Sequence, residues 1–152
     1  MRPSSRLLLL GFVLAGLLAG CSSGEGDAPA GPQLPQVDAF APGTCRTAAP
    51  DVIAVGQALP RLGGGGVVDA QVKDGLRDAQ RRLVSVRDKA GPAYAPAFVD
   101  LVGSIGIVRI RADGNTYEPQ FGKTLKASYE RVVALCTAPG SQSPDPAGSP
   151  AT

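Results

Sequence analysis

Apolar residues in this chain recur at alternating spacings of three and four over four separate stretches, the pattern of helices that each bury one stripe. In the first stretch, Cys45, Ala48, Val52, Val55, Leu59 and Leu62 share a face. Thr47 is the expected N-cap, with Pro50 and Asp51 in the first turn, where a fixed φ and a negative charge suit the unpaired amides. Pro60 lacks an amide hydrogen and predicts a kink or a stop, and Gly63 to Gly66 make the break. In the second stretch, Val72, Leu76, Ala79, Leu83, Val86 and Ala90 form the stripe, and charged residues from Lys73 to Asp88 fill the other faces. Asp69–Lys73 and Asp78–Arg82 are expected i,i+4 ion pairs, worth about 0.2–0.5 kcal/mol each. Gly91-Pro92 supplies the stop.

The third stretch starts with Pro96 at an early helical position and continues through Phe98, Leu101, Ile105, Val108 and Ala112. Its second half, Ile105 to Arg111, is β-branched and partly alternating, so local propensity alone would equally allow a strand ending at the turn Asp113-Gly114-Asn115. The only other candidate strand, Val67-Val68, is very short, and a lone strand has nowhere to place its backbone hydrogen bonds. Helix is therefore expected. The fourth stretch opens near Thr116, with Glu118 and Pro119 in its first turn. Gly122, Leu125, Tyr129, Val132 and Cys136 form its seam, widened by Phe121 and Val133, and residues 137–140 end it. Four amphipathic segments with short connections predict an all-α fold, a small up-down-up-down four-helix bundle over residues 45–137.

The N-terminus follows a different rule. Arg2 and Arg6 precede an almost wholly apolar run from Leu7 to Ala19, too short for a comfortable membrane span and typical of a secretory signal. The run closes on Leu18-Ala19-Gly20-Cys21, which resembles the lipobox of bacterial lipoproteins. That resemblance implies cleavage between Gly20 and Cys21, so that residues 1–20 are a signal peptide. It also implies a diacylglycerol in thioether linkage on Cys21, palmitate labelling there, and a lipid anchor on the extracytoplasmic face of the cell membrane. In composition and architecture the rest is similar to small helical lipoproteins of high-G+C Gram-positive bacteria, a group generally without an assigned role.

With Cys21 taken by lipid, Cys45 and Cys136 remain, and an oxidising extracytoplasmic compartment favours a disulfide between them. The bundle agrees, because the start of a first helix and the finish of a fourth lie at the same end. An odd number of long helices would hold the two sulfurs a helix length apart, beyond the roughly 7 Å Cα limit. A core largely of Val, Ala and Leu, with no Trp, is small. Closing a loop of this size is expected to stabilise it by about 4 kcal/mol in the chain-entropy model.

Composition draws the boundaries. Residues 21–44 are rich in Gly, Pro and Ala and read as a flexible lipidated linker, with a typical end separation of roughly 25 Å. Phe40 is its one aromatic residue and a candidate to fold back on the domain edge. Residues 138–152 read as a disordered tail. Without Arg2 and Arg6 the mature chain has 13 basic and 13 acidic residues, and residues 45–136 alone have 13 and 9. So small an excess does not argue for nucleic acid.

Candidate chemistry is sparse. The chain has no His, which excludes histidine triads and imidazole-metal sites; with Cys45 and Cys136 paired, no thiolate is left. Most carboxylates alternate with Arg or Lys; Asp100, embedded among Phe98, Val99, Leu101 and Val102, could be a buried functional acid but is expected on an outer face. Arg109 and Arg111 flank the third seam and could anchor an anionic ligand, or they could snorkel over apolar surface. Tyr94, Tyr117 and Tyr129 could line a pocket, but Tyr129 sits on the seam and the others near turns, so core packing and turn burial explain them. No catalytic set, metal or cofactor is expected. The expected role is a membrane-anchored, non-enzymatic envelope protein that presents its bundle to another protein or to the cell wall. The alternative is a carrier or sensor that holds a small apolar or anionic ligand between helices.

Overall fold

Each apolar stripe becomes one helix: α1 Thr44–Ala58, α2 Ala70–Lys89, α3 Ala95–Asp113 and α4 Pro119–Thr137. The computed structural model describes residues 33–138. The signal segment, Cys21, most of the linker and the tail beyond residue 138 lie outside the described residues. Consecutive helices pack side by side, and α1 also meets α4, which closes an up-down-up-down ring. Val52 and Val55 of α1, Leu76 and Leu83 of α2, Phe98, Leu101, Ile105 and Val108 of α3, and Leu125 and Val132 of α4 fill its interior, all fully buried or nearly so. Among the described residues there is no strand. The contested segment Ile105 to Arg111 is helical, and Ile105 and Val108 enter the core as the 3.6-residue period requires.

The expected disulfide is formed. Cys45 and Cys136 are bonded with their Cα atoms 5.3 Å apart, across 91 residues of chain. Both are buried.

Local details differ from expectation in instructive ways. Thr47 does not cap α1. Gly43, at φ 81°, turns the chain into a helix that is already under way at Thr44, and the Thr47 hydroxyl donates back to the Gly43 carbonyl at 3.0 Å. Only glycine tolerates that backbone easily. Pro50 consequently lies inside α1, where the Arg46 carbonyl loses its i→i−4 amide. At the other end, α1 stops at Ala58, and Leu59–Leu62 form a 3₁₀ turn around Pro60. Helix α4 starts at Pro119, three residues beyond Thr116; Asn115, at φ 52°, belongs to the preceding turn.

The two expected i,i+4 ion pairs are replaced. Asp69 is the N-cap of α2, its Oδ1 accepting from the Gln71 and Val72 amides at 2.7 and 3.3 Å, and it also meets Arg61 at 3.2 Å. Lys73 turns to Asp113 instead, at 3.6 Å. Asp78 pairs with Arg81, and Arg82 reaches the buried Asp51 of α1 at 2.6 Å. For Asp69 the cause is energetic: satisfying orphan helix amides is worth about 1 kcal/mol, more than an exposed pair usually contributes.

The packed body also begins ahead of Cys45. After a 3₁₀ turn at Val37–Ala39, Phe40 enters the core and is 1% exposed. The Ala41 amide donates to the Cys136 carbonyl at 2.8 Å. Arg46 holds the Phe40 carbonyl through Nε and Nη2, at 3.2 and 2.9 Å, and the Asp38 carbonyl at 3.1 Å. Burying one Phe contributes about 1.5–3 kcal/mol, a local gain that the polar average of the whole linker hides.

Candidate functional site

Three surface features stand out: an apolar cleft between α1 and α4, a polar groove between α1 and α2, and the outer face of α3. The apolar cleft has a volume of about 440 Å³. Leu59 and Pro60 form one wall, Tyr129 and Val133 the opposite one, and Gln33, Leu34 and Pro35 lie along a third side. Gly56 is its tightest point: a Cβ there would stand 2.6 Å from Leu34 Cδ2 and 2.7 Å from the Tyr129 hydroxyl oxygen. Lys126 and Glu130, one helical turn apart on α4, pair with each other beside it. Burial pushes the Tyr129 hydroxyl above its ordinary value of 10.0, and the neighbouring Glu130 charge adds to this, so it stays a neutral donor across the physiological range.

The polar groove, about 390 Å³, is lined by Thr44, Thr47, Asp51, Arg82, Ser85, Val86 and Lys89. Its chemistry is dominated by the Asp51–Arg82 pair, in which the carboxylate is buried and the guanidinium largely exposed. The pair ties α1 to α2 and leaves no free acid–base couple in the groove.

Helix α3 is apolar on both sides. Opposite its core stripe, Val99, Ile107 and Ile110 are 52%, 48% and 72% exposed, and Gly103 faces open space between them. Spacings of four, four and three place these residues on one face. Asp100 borders the stripe and pairs with Arg131 of α4, on the outer face as expected.

The two arginines expected to anchor a ligand are engaged elsewhere. Arg109 Nη1 donates to Gln80 Oε1 of α2, and Arg109 Nε is buried without a hydrogen-bond partner. Arg111 lies with its guanidinium carbon 5.1 Å from the centre of the Phe121 ring, a cation–π contact that joins α3 to α4. Neither lines the apolar cleft or the polar groove. Gln80 is the residue that periodicity missed. Its Nε2 donates to the Val102 carbonyl at 3.0 Å, a reach made possible by Gly106, where a Cβ would stand 2.8 Å from that same nitrogen. Of the tyrosines, Tyr117 and Tyr129 are buried. Tyr129 opens onto the apolar cleft.

Among the described residues no group of three or more His, Cys, Asp or Glu could hold a metal ion, and no helix is long and apolar enough to cross a membrane. Comparison with protein families, with curated proteins and with solved structures finds no match for this chain.

Proposed function

We propose that this chain is a lipid-anchored, non-enzymatic protein of the cell envelope that uses its bundle as a docking module for another protein. The observation that carries the docking role is the outer face of α3. Large apolar side chains left in water on a helix that already buries its opposite side mark a surface made to be covered. The location is supported by the Cys45–Cys136 bond, which belongs to an oxidising compartment. That bond leaves Cys21 as the odd cysteine, directly after the apolar run and open to lipid. The non-enzymatic character is supported by the paired state of Asp51, Asp69, Asp78, Asp100 and Glu130, each held by an Arg or Lys.

Labelled palmitate should enter the wild-type protein and not the Cys21→Ala variant; label in both would remove the anchor. A photocrosslinking side chain at Ile110 should capture one discrete partner in intact cells, whereas the same side chain at Arg81, on the polar face of α2, should not. Equal capture from both positions would remove the role of α3.

A further inference from the structure

The cleft between α1 and α4 holds an unused hydrogen-bond donor, the Tyr129 hydroxyl, among largely apolar walls. Tyr129 donates to no protein atom among the described residues, and it is not among the side-chain groups sealed away without a partner, of which Arg109 Nε is the one described. Its hydroxyl is therefore reachable by solvent or by a ligand. Around it stand Leu34, Leu59, Pro60 and Val133, and a volume of about 440 Å³ falls within the range of sites for small molecules. At the mouth Lys126 and Glu130 neutralise each other. An anionic head would have to draw Lys126 away from Glu130 and then face the Glu130 charge, whereas a neutral head meets no such opposition.

We infer that this cleft binds a neutral amphiphile, an unbranched apolar chain with one uncharged acceptor such as an alcohol or ester oxygen. The chain lies against Leu34, Leu59, Pro60 and Val133, and the acceptor takes the hydrogen of the Tyr129 hydroxyl. Gly56 has a specific part in this. Any side chain there would collide with Leu34 and Tyr129, two of the groups that line the cleft, and disturb its shape. The site stands apart from the α3 face and goes beyond the docking role. Its chemistry is met equally by a free alcohol or ester and by an ester-linked chain of a membrane glycerolipid.

The test uses the full mature chain with Cys21→Ala, so that no acyl group of its own competes. Decan-1-ol, methyl decanoate and decanoate are titrated separately while the NMR signals of Leu34, Gly56 and Val133 are followed. Both neutral probes should give saturable shifts at these residues and bind at least tenfold more tightly than decanoate. Tyr129→Phe, which loses no internal hydrogen bond, should keep its thermal midpoint and bind the neutral probes about tenfold more weakly. Leu34→Trp, a change in the lead-in segment and not in a helix, should fill the cleft and abolish the shifts. A further arm adds phosphatidylcholine vesicles. The same shifts with vesicles assign the site to membrane glycerolipid, and shifts with the monomeric probes alone assign it to a free ligand; either result supports it. The inference is overturned if the three residues do not respond up to the solubility limit of the probes. Equal binding by Tyr129→Phe, or decanoate binding as tightly as decan-1-ol, overturns it as well.

Discussion

The two ends of the bundle solve the same problem with different chemistry. At one end the start of α1 meets the finish of α4, and a covalent bond joins them at Cys45 and Cys136. Phe40 plugs that end from outside the helices, and Arg46 and the Cys136 carbonyl hold its backbone in place. At the other end the α1–α2 and α3–α4 connections come together with no covalent link. There the Tyr117 hydroxyl donates to the Leu62 carbonyl at 2.6 Å, across 55 residues of chain. The contact needs Gly122, because a Cβ at that position would collide with the Tyr117 hydroxyl and stand 3.1 Å from the Leu62 carbonyl. One end is closed by a strong bond between two cysteines. The other is closed by fit, in which a phenol, a carbonyl and a missing methyl group act together.

The contrast predicts an order of effects. Replacing both cysteines, Cys45→Ser with Cys136→Ser, should cost about 4 kcal/mol, because a 91-residue separation is no longer bridged in the unfolded chain. Chemical denaturation should show it, and an unchanged midpoint would mean that the covalent end is not the stronger one. Phe40→Ala at the same end should cost about 3 kcal/mol through the cavity it leaves. A loss below about 1 kcal/mol would show that the lead-in adds little to the disulfide. At the glycine end, Gly122→Ala should destabilise by about 2 kcal/mol, although alanine is the better helix former by about 1 kcal/mol. Stabilisation by that substitution would show that the Tyr117 contact is loose.

Tyr117→Phe should have the smallest effect, about 1–2 kcal/mol for the lost hydrogen bond and the Leu62 carbonyl left without it. The same variant should also respond differently to pH. Burial raises Tyr117 above 10.0, more than the hydrogen bond from the Gly122 amide lowers it, and burial raises Tyr129 too. The folded protein therefore holds these protons more tightly than the unfolded chain. Their contribution is complete below pH 10 and is lost as pH rises from there through the folded values. Unfolding followed above pH 10 should show stability falling, and more gently in Tyr117→Phe than in wild type.

Much of this architecture is legible from neighbours in sequence. A stripe at spacings of three and four identifies each helix, since the pattern is set by residues one turn apart. The disulfide is expected from two cysteines left to pair in an oxidising compartment, and the helix count agrees with it, because topology decides which ends meet. The ambiguous run Ile105 to Arg111 was settled by the lack of a strand partner, and Ile107 and Ile110, the source of its strand-like look, became the exposed face of α3. The failures have a common origin. Thr47 was a sound cap by residue type, but the positive φ of Gly43 started α1 earlier. Asp69 and Asp78 had good partners by spacing, but a helix terminus claimed the first, and the tertiary contact of Arg82 with Asp51 left the second to Arg81.

The sequence alone carries the number of apolar stripes and the pairing of Cys45 with Cys136. Each of those depends on residue type and on short-range period. Only the tertiary structure decided that Phe40 is core, that Arg109 belongs to Gln80 and Arg111 to Phe121, and that Leu34, Gly56 and Tyr129 enclose one cleft. These residues lie from about 10 to more than 90 positions apart. Nothing in the local pattern records such distances, which arise only when helix packing brings the side chains together and leaves space between them.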